Sequence, residues 1–519
     1  MATLAKSPGL LETLAGIIGT ANLLTDEAER RFAATDVLGF AELPAAVARP
    51  ATVAELQAIV QACAQARTPL VVRGGGASYT DGYTHKLPGG IAIDTARLSG
   101  IEINAQNATV TVEAGVTWAA LRDALKPLGW RTPFWGPFSG LAATVAGSMS
   151  QHSISHGSGI WGVSADSAIG FDIITGTGEM LSTGTAHFRH FGPDMAGLFT
   201  GDCGALGVKA RVRLKLIRRR EAFDAASFNF TSFEALHRAM SAIAAEALDD
   251  ENFGLDATLQ QGQIGRQDSV GAKAEIALNV MKSATSLGAG VKTLARMAAA
   301  GDRDLKNATF AVHYITEGVS QSEARDRAAL IRKLALAAGA DEIANTVPTV
   351  VRSMPFAPLT NTLGPKGERW VPIHALLAHD QAVPFHHALE TCLHANRESI
   401  AAHNIVSGRM FMAVGPNAFV YEPTFYWADA QSIYHQRIIP AEHQKSIETF
   451  PENPAARAEV VRLKGEIITI MAAHGAAHLQ VGRTYPWLAS RDAASTALAR
   501  AMKATLDPHG ILNPGALGL

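Results

Sequence analysis

The chain has 519 residues and a formal net charge of −2; 47% of its residues are hydrophobic, 18% charged and 7% aromatic. This length predicts roughly two or three domains of about 100–200 residues each, and the composition is typical of a soluble globular protein. Because Lys and Arg are scattered rather than clustered, we expect no nucleic-acid partner.

The cysteines and the N-terminus give information on the cellular location of the protein. Cys63, Cys203 and Cys392 are few, odd in number and far apart, so they predict neither a disulfide framework nor a CxxC metal site. Glu12 interrupts the first apolar run, which predicts an amphipathic helix and not a signal peptide. No stretch approaches ~18 consecutive apolar residues. We expect a cytoplasmic location, with peripheral attachment to a membrane as the alternative.

The first part of the chain predicts strands with interleaved helices. "TVAELQAIVQACAQA" has apolar residues at three- and four-residue spacing, which indicates an amphipathic helix, and the short strand "PLVV" follows. "NATVTVEAGV" alternates Thr and Val, which is typical of a half-buried strand. "WAALRDALKPLG" predicts a helix, and "ALGVKARVRLKL" predicts a further alternating strand.

The sequence pattern changes near residue 220, where Ala-rich helical segments follow the strand-rich first part of the chain. "SFEALHRAMSAIAAEAL" and "KAEIALNVMKSATSLGAGVKTLARMAAA" predict Ala-rich helices, and "ATFAVHYITEG" predicts a strand. "GRMFMAVGPNAFVYEPTFYWADA" predicts two strands joined by a Gly-Pro-Asn turn. Pro423 interrupts the second of these, which indicates an edge or bulged strand. A long helix ending at Gly475 and a strand over "AAHLQVGRTY" complete the chain.

The glycine-rich segment "RGGGASYTDG", residues 73–82, is the strongest local motif. Bare backbone lets N–H groups approach phosphate oxygens, where a β-carbon would obstruct them. The pattern is not GxGxxG followed by a helix and an acidic residue, and it lacks GK[ST], which disfavours a nicotinamide site and excludes a P-loop. The alternative is an ordinary glycine turn.

Four further blocks accompany this segment in a fixed order along the chain. The five are "RPATVAELQAIVQACAQARTPLVVRGGGASY", "VTVEAGVTWAAL", "PFSGLAATVAGSMSQHSISHGSGIWGVSADSAIGFDIITGTGEML", "LFTGDCGALGVKARVRL" and "LDPHGILNPG". Together they resemble the vanillyl-alcohol oxidase/4-cresol dehydrogenase superfamily of flavoproteins. The branch holding D-lactate dehydrogenases and glycolate oxidase subunits is the most similar. The resemblance is strong over residues 45–218 and 505–515 and weak between them.

The resemblance implies an α+β fold, with a two-part FAD-binding domain of the PCMH type and an inserted α/β cap domain that holds the substrate. Residues 1–219 would form the FAD-binding domain with an N-terminal helical arm. Residues 220–465 would form the cap, and residues 466–519 would return to the FAD-binding domain.

The resemblance also implies which residues contact FAD. The pyrophosphate loop would comprise Arg73, Gly74, Gly75, Gly76, Ala77 and Ser78. The second phosphate and ribityl contacts would come from Pro137, Ser139, Gly140, Ala146 and Gly147. The adenine or flavin side would meet Ala205, Gly207 and Val208, and Asn513 would close over the flavin.

The mode of flavin attachment follows from a departure from the family pattern. In relatives that attach flavin through the first loop, a His stands where this chain has Ala77. The cysteine that provides a second attachment point in those relatives has no counterpart in "ATVAGSMSQHS". We therefore expect non-covalent FAD, with attachment through a cap residue as the alternative.

Oxidation by flavin requires a base for the hydroxyl proton and a group that fixes the substrate. Arg483 in "LQVGRTY" is the candidate for a substrate carboxylate, and a salt bridge is its alternative role. His374 and His478 are the candidate bases. His474 and His478 suggest an i,i+4 metal pair, but Gly475 ends the helix between them, so no metal site is predicted.

The aromatic strand offers a further candidate. Phe419 and Tyr421 share one face of a strand, and Glu422 lies on the opposite face. Tyr421, with Tyr426 and Trp427, could line a pocket for an aromatic substrate, or these residues could belong to the core.

These observations predict an FAD-dependent oxidoreductase that oxidises a CH–OH group by hydride transfer to flavin N5. The favoured small-molecule substrate is a D-2-hydroxy acid or a related alcohol. Oxidation of a phenolic compound, either a 4-alkylphenol or a benzylic alcohol, is one alternative, and a non-catalytic flavin-binding subunit of a larger complex is another. The electron acceptor would be a cytochrome, a quinone or dioxygen, and a homodimer is the expected oligomeric form.

Overall fold

The computed structural model describes residues 9–267, 277–278, 294–295 and 308–519. Most of the predicted Ala-rich helix over residues 273–300 lies outside the described residues. The α-helices of the described chain, α1 to α16 in order, span Leu10–Ile18, Glu27–Ala33, Val53–Gln65, Trp118–Leu125, Val145–Gln151, Ser158–Trp161, Phe233–Ala245, Ala257–Gln267, Gln321–Ala337, Thr346–Ser353, His379–Ala395, Arg397–Ala402, Ile433–Ile438, Ala441–Ser446, Pro454–Ala473 and Ala493–Leu506.

The first sheet has four strands in the order β1-β2-β4-β3. Their bounds are Leu23–Leu24 (β1), Ala46–Ala48 (β2), Leu70–Arg73 (β3) and Ile91–Asp94 (β4). β2 and β3 run parallel to β4. Helix α3 begins where the Thr52 hydroxyl accepts a 3.1 Å hydrogen bond from the Glu55 N–H. The predicted unit of helix, strand and glycine loop is confirmed.

The second sheet has five antiparallel strands in the order β5-β6-β10-β8-β9. Their bounds are Ile101–Asn104 (β5), Thr109–Glu113 (β6), Ala168–Ile174 (β8), Met180–Ser182 (β9) and Val208–Lys215 (β10). Two short strands, Trp130–Arg131 (β7) and Ile217–Arg218 (β11), pair beside it. Val110 and Val112 of β6 are fully buried, as the Thr-Val alternation predicts.

The third sheet is the largest and has the order β15-β12-β14-β13-β18-β19-β16, with β17 also paired to β19. Its strands span Ala222–Phe230 (β12), Glu251–Asp256 (β13), Phe310–Gly318 (β14), Asp341–Ile343 (β15), Arg369–Pro372 (β16), Ala375–Leu377 (β17), Val406–Val414 (β18) and Ala418–Trp427 (β19). A core of large aromatic side chains, with Phe233, Phe411 and Tyr421 fully or almost fully buried, packs against this sheet.

Two local predictions were wrong. β19 is not an edge strand, since it pairs with β18 on one side and with β16 and β17 on the other. Pro423 is tolerated because it falls opposite the gap between β16 and β17. The predicted strand over "AAHLQVGRTY" is instead a single bridge at Ala477 followed by turns. Gln480 and Gly482 have φ of +50° and +55°, which extended backbone does not allow.

The C-terminal segment returns to the first sheet. The Leu70 N–H donates to the Ile511 carbonyl at 2.8 Å, and the Asn513 N–H donates to the Leu70 carbonyl at 2.9 Å. The Lys503 ammonium donates to the Leu512 carbonyl at 2.8 Å. We propose on this basis that the division into residues 1–219, 220–465 and 466–519 describes the domain organisation.

A buried ion-pair network joins the elements around the first two sheets to those of the third. Glu317 of β14 accepts from Arg131 of β7 and from Arg352 of α10, each at 2.6 Å. The His156 Nδ1 lies 2.9 Å from the Glu251 carboxylate of β13. Because the Glu317 ion pairs and the His156–Glu251 contact are buried, they fix the orientation of the third sheet against the rest of the chain.

Candidate active site

A cavity of about 1030 Å³ lies between the glycine loop and the third sheet. This volume is at the upper end of the range for small-molecule and cofactor sites. Its wall includes residues 74–79, parts of residues 137–155 and 203–209, helix α10, and strands β18 and β19. The described wall thus combines backbone-rich loops on one side with side chains of the largest sheet on the other.

The glycine loop presents bare backbone to this cavity. In the described chain, none of the N–H groups of residues 74–78 donates a hydrogen bond to another residue. A Cβ at Gly75 would lie 1.7 Å from the Ala142 carbonyl oxygen, and one at Gly74 would lie 2.4 Å from the Thr144 hydroxyl. Consecutive free N–H groups form an anion-binding concavity, so this loop fits the pyrophosphate of a dinucleotide.

Most of the residues that the resemblance assigns to FAD line this cavity. They are Gly74, Gly75, Gly76, Ala77, Ser78, Pro137, Ser139, Ala146, Gly147, Gly207 and Val208. These residues come from three separate segments of the chain, and the fold brings them to one cavity wall.

Arg73 and Gly140 support the wall from behind. The Arg73 guanidinium lies over the Phe32 ring at 4.0 Å and donates to the Phe32 carbonyl at 2.9 Å. A Cβ at Gly140 would lie 2.5 Å from the Phe356 ring. Neither residue is among those that line the cavity.

Ala205 and Asn513 also lie behind the wall. The Ala205 carbonyl accepts a hydrogen bond from Lys503 at 2.8 Å. The Asn513 amide donates to the carbonyls of Gly82 at 2.8 Å and Cys203 at 2.6 Å. Asn513 therefore ties two segments of the cavity wall together from the C-terminal segment.

Glu422 is the single carboxyl residue on the described part of the cavity wall. It lies on β19, on the same face as the cavity-lining residues Thr424 and Tyr426. Desolvation raises the pKa of Glu422 to about 8. Within the described chain its carboxyl group makes no hydrogen bond. An unpaired carboxyl in an enclosed cavity is typical of a group that meets a ligand.

Tyr421 occupies the other face of β19, away from the cavity. Its hydroxyl lies 2.7 Å from the His386 Nδ1. Its ring packs against Phe411 and Phe385 with centroids 4.9 and 5.0 Å apart. The structure does not bring Tyr421 to the cavity, because the two-residue period of the strand directs Glu422 there instead.

His374 lies at the cavity, whereas His478 lies behind it. The His374 Nε2 is 3.1 Å from the Tyr79 hydroxyl, and desolvation lowers the pKa of His374 to about 3. The His478 Nδ1 is 2.8 Å from the His374 carbonyl oxygen, and its ring stacks on Tyr485 at 4.0 Å. The structure therefore brings His374, but not His478, to the site.

Arg483 binds backbone oxygens and the Asn513 side chain. Its guanidinium donates to the carbonyls of Asp81 at 2.5 Å, Thr84 at 2.9 Å and Pro514 at 2.9 Å, and to the Asn513 Oδ1 at 2.6 Å. Arg483 is not among the residues that line the cavity. These hydrogen bonds link residues 81–84 to residues 513 and 514 near the C-terminus.

We therefore expect Arg483→Ala to act through folding. Four acceptors lose their donor, so the free energy of unfolding should fall by about 2–5 kcal/mol, as measured by denaturant titration. Arg483→Lys should restore little of it, since an ammonium cannot reproduce the guanidinium fork. Normal stability and FAD content combined with loss of substrate reduction would contradict this expectation.

The described cavity wall carries no unpaired cation from Arg or Lys. No Arg lines it, and the ammonium of its one lysine, Lys209, lies 2.6 Å from the Asp202 carboxylate. The side facing the third sheet is mainly apolar, with Phe138, Phe253, Leu255, Val347, Val351, Met410, Met412 and Leu479. Among the described residues, no group of three or more His, Cys, Asp or Glu side chains is arranged to hold a metal ion.

Searched over the described residues, the chain has no helix that is both long and apolar enough to cross a membrane.

Comparisons with known proteins agree with this geometry. The family model for an FAD binding domain matches residues 44–184. The model for the C-terminal domain of FAD linked oxidases matches residues 293–517.

Three similar proteins extend the comparison. An uncharacterized FAD-linked oxidoreductase of Mycobacterium tuberculosis is 27% identical over 350 residues, which is 64% of this chain and 73% of that protein. Glycolate oxidase subunit GlcD of Bacillus subtilis is 27% identical over 40% of this chain and 44% of its own. The solved structure of p-cresol methylhydroxylase with substrate bound superposes with a TM-score of 0.72 at 15% identity, covering 98% of this chain and 96% of the other.

The fold and the cavity thus define an FAD-dependent oxidoreductase with a PCMH-type FAD-binding domain and an FAD-linked oxidase C-terminal domain. The chain belongs to the vanillyl-alcohol oxidase/4-cresol dehydrogenase superfamily. The predicted α+β fold, the enzyme class and the cofactor FAD are confirmed.

Proposed function

We propose that the chain oxidises an uncharged alcohol, phenolic or benzylic in character, by transferring a hydride from its CH–OH carbon to FAD. The observation that carries this proposal is the Glu422 carboxyl, which is unpaired among the described residues, in a wall whose described part is mainly apolar and carries no free Arg or Lys. A carboxyl group that has no hydrogen-bond partner among the described residues is suited to take a proton from a substrate hydroxyl.

The free N–H groups of residues 74–78 would hold the FAD pyrophosphate. When bound, FAD supplies the acceptor for the hydride. Ala77 offers no nucleophile at the position where relatives attach flavin, which supports non-covalent binding. Acid precipitation tests this point, since the yellow colour should leave with the supernatant and a yellow pellet would contradict it.

Glu422 would act as the base. As the substrate C–H bond breaks and its electron pair leaves as hydride, the hydroxyl proton moves to the Glu422 carboxylate and a carbonyl product forms. The apolar side chains of β18 and helix α10 would enclose the substrate and exclude water from the reacting carbon.

A D-2-hydroxy acid is the second candidate substrate, and the name of the glycolate oxidase subunit supports it. Such a substrate needs a cation for its carboxylate. In the described chain, Lys209 is paired and Arg483 binds other oxygens. The electron acceptor of the reaction would be a cytochrome, a quinone or dioxygen, and the homodimer remains part of this proposal.

Anaerobic bleaching of the bound flavin tests the substrate class. The holoenzyme is mixed without oxygen with 4-hydroxybenzyl alcohol, 4-ethylphenol, D-lactate or glycolate, and absorbance near the flavin maximum is followed. We expect bleaching by 4-hydroxybenzyl alcohol but not by 4-ethylphenol, which has no CH–OH carbon and therefore serves as the control. Bleaching by D-lactate or glycolate alone would favour the second candidate, and bleaching by none would contradict both.

The rate of flavin reduction is expected to rise with pH through about 8. Glu422 must be ionised to accept a proton, and desolvation raises its pKa to about 8. Below that pH the ionised fraction falls about tenfold per unit. Stopped-flow reduction rates from pH 6 to 9 measure this dependence. A flat profile through pH 8 would contradict the assignment of Glu422 as base.

A further inference from the structure

Three buried side chains next to the cavity form a chain of hydrogen bonds. Tyr79 lies within the glycine-rich segment 73–82 and is one of the cavity-lining residues, and its hydroxyl lies 3.1 Å from the His374 Nε2. The other imidazole nitrogen of His374, Nδ1, lies 3.4 Å from the Tyr485 hydroxyl. Tyr79, His374 and Tyr485 are 8%, 1% and 2% exposed, so each polar atom needs a partner within the protein.

The Tyr485 hydroxyl determines which atom donates and which accepts in each of these hydrogen bonds. It accepts the His374 backbone N–H at 2.9 Å, so its own proton needs an acceptor. Among the described residues, the acceptor within hydrogen-bond distance of the Tyr485 hydroxyl is the His374 Nδ1. A neutral imidazole carries one proton, and burial keeps His374 neutral by lowering its pKa to about 3. With Nδ1 accepting, the ring proton is on Nε2 and points at Tyr79.

The Tyr79 oxygen therefore accepts two hydrogen bonds. One comes from the His374 Nε2–H, and the other comes from the Gln480 side-chain amide at 3.1 Å. A phenol oxygen that accepts twice keeps its own proton for a third direction. Since Tyr79 lines the cavity that also holds Glu422, that direction is the cavity.

We infer that Tyr485 and His374 are positioning residues that orient the Tyr79 O–H as a hydrogen-bond donor to the substrate oxygen. This inference rests on the proposed function, because it places a substrate oxygen between a fixed donor and the Glu422 base. Tyr79 would be the catalytic residue that touches the substrate, and the other two would act through it.

A double-mutant cycle tests this inference on the FAD-loaded enzyme. The readout is the dissociation constant of phenol, a ligand that cannot be oxidised at a CH–OH group, followed by the shift in flavin absorbance. We expect Tyr79→Phe to weaken phenol binding about tenfold and Tyr485→Phe to weaken it about three- to tenfold. The double variant should bind no more weakly than Tyr79→Phe alone.

His374 variants provide a second measurement. His374→Gln keeps an N–H donor near the Nε2 position and should retain most of the binding, whereas His374→Leu should match Tyr79→Phe. Tyr314→Phe is the matched control: Tyr314 is 1% exposed, its hydroxyl has no hydrogen-bond partner among the described residues, and it is not among the residues that line the cavity. We expect that variant to bind phenol like the wild type.

Two results would overturn the inference. The first is multiplication of the Tyr79→Phe and Tyr485→Phe effects in the double variant, which would make Tyr485 an independent structural residue. The second is an absence of any flavin response to phenol in the wild type. By contrast, phenol binding with the expected coupling, but without flavin reduction by any alcohol, would contradict the proposed function alone.

Discussion

Glu422→Gln is expected to slow flavin reduction by substrate about 10²–10⁴-fold while FAD content stays unchanged. The amide keeps the size and hydrogen-bonding shape of the carboxyl group but cannot accept the substrate proton at neutral pH. Glu422 lies on β19 and not in the glycine-rich segment, so its replacement leaves the anion-binding N–H groups intact. Anaerobic stopped-flow measurement gives the rate, and flavin absorbance per chain gives the FAD content.

Two controls accompany this variant. Glu442→Gln removes an exposed carboxyl that pairs with Lys445 and should leave the rate unchanged.

The stability of the protein provides an independent check. The folded chain keeps the Glu422 proton up to about pH 8, whereas the unfolded chain loses it near 4.5. The wild type should therefore lose stability relative to Glu422→Gln as the pH rises from 5 to 8. Unchanged flavin reduction in Glu422→Gln would exclude the base role.

Gly75→Ala is expected to abolish retention of FAD. The added Cβ would lie 1.7 Å from the Ala142 carbonyl oxygen, so the loop must move away from the segment that precedes helix α5. The N–H groups of residues 74–78 then lose their common direction, and the phosphate contacts depend on that direction. We expect at least a hundredfold weaker FAD binding, measured by titration of the apoprotein, because several charge-assisted hydrogen bonds are lost together.

Gly39→Ala is the matched control for this loop variant. A Cβ at Gly39 meets no atom within 4 Å, and its φ lies outside the left-handed region. FAD titration of Gly39→Ala should therefore match that of the wild type. Gly75→Ala protein that retains FAD with wild-type affinity would show that the loop does not hold the pyrophosphate.

The sequence was most informative where the backbone makes the site. Gly74, Gly75 and Gly76 predicted bare backbone, and the strict Thr-Val alternation predicted β6. The order of five sequence blocks predicted the cofactor, because several loops must come together before a dinucleotide can be enclosed. These features depend on local backbone requirements, which a sequence displays directly.

The substrate side was less predictable because it depends on which face of each element meets the cavity. The alternation on β19 correctly placed Tyr421 and Glu422 on opposite faces of the strand, but it does not show which of these faces packs in the core. The sequence shows Glu422 as a carboxyl residue within an otherwise apolar strand. Only the position of that strand in the sheet shows that Glu422 faces the cavity.

Arg483 illustrates a different limit. An arginine after a glycine was expected to project from a strand, yet Gln480 and Gly482 adopt positive φ and turn the chain. The guanidinium then meets four oxygens from distant segments. Contacts between residues some 400 positions apart depend on tertiary packing, which local patterns do not record.

The proposed function requires that the cavity takes an uncharged alcohol and delivers its hydride to FAD. The most direct test compares two benzylic alcohols whose para substituent is either a neutral methyl group or a charged carboxylate, 4-methylbenzyl alcohol and 4-(hydroxymethyl)benzoate, by anaerobic reduction of the holoenzyme flavin at pH 8. We predict reduction by the neutral alcohol at least a hundredfold faster, because the described part of the wall offers the carboxylate no free Arg or Lys and the Glu422 charge repels it. Equal rates, or faster reduction by the carboxylate, would contradict the account.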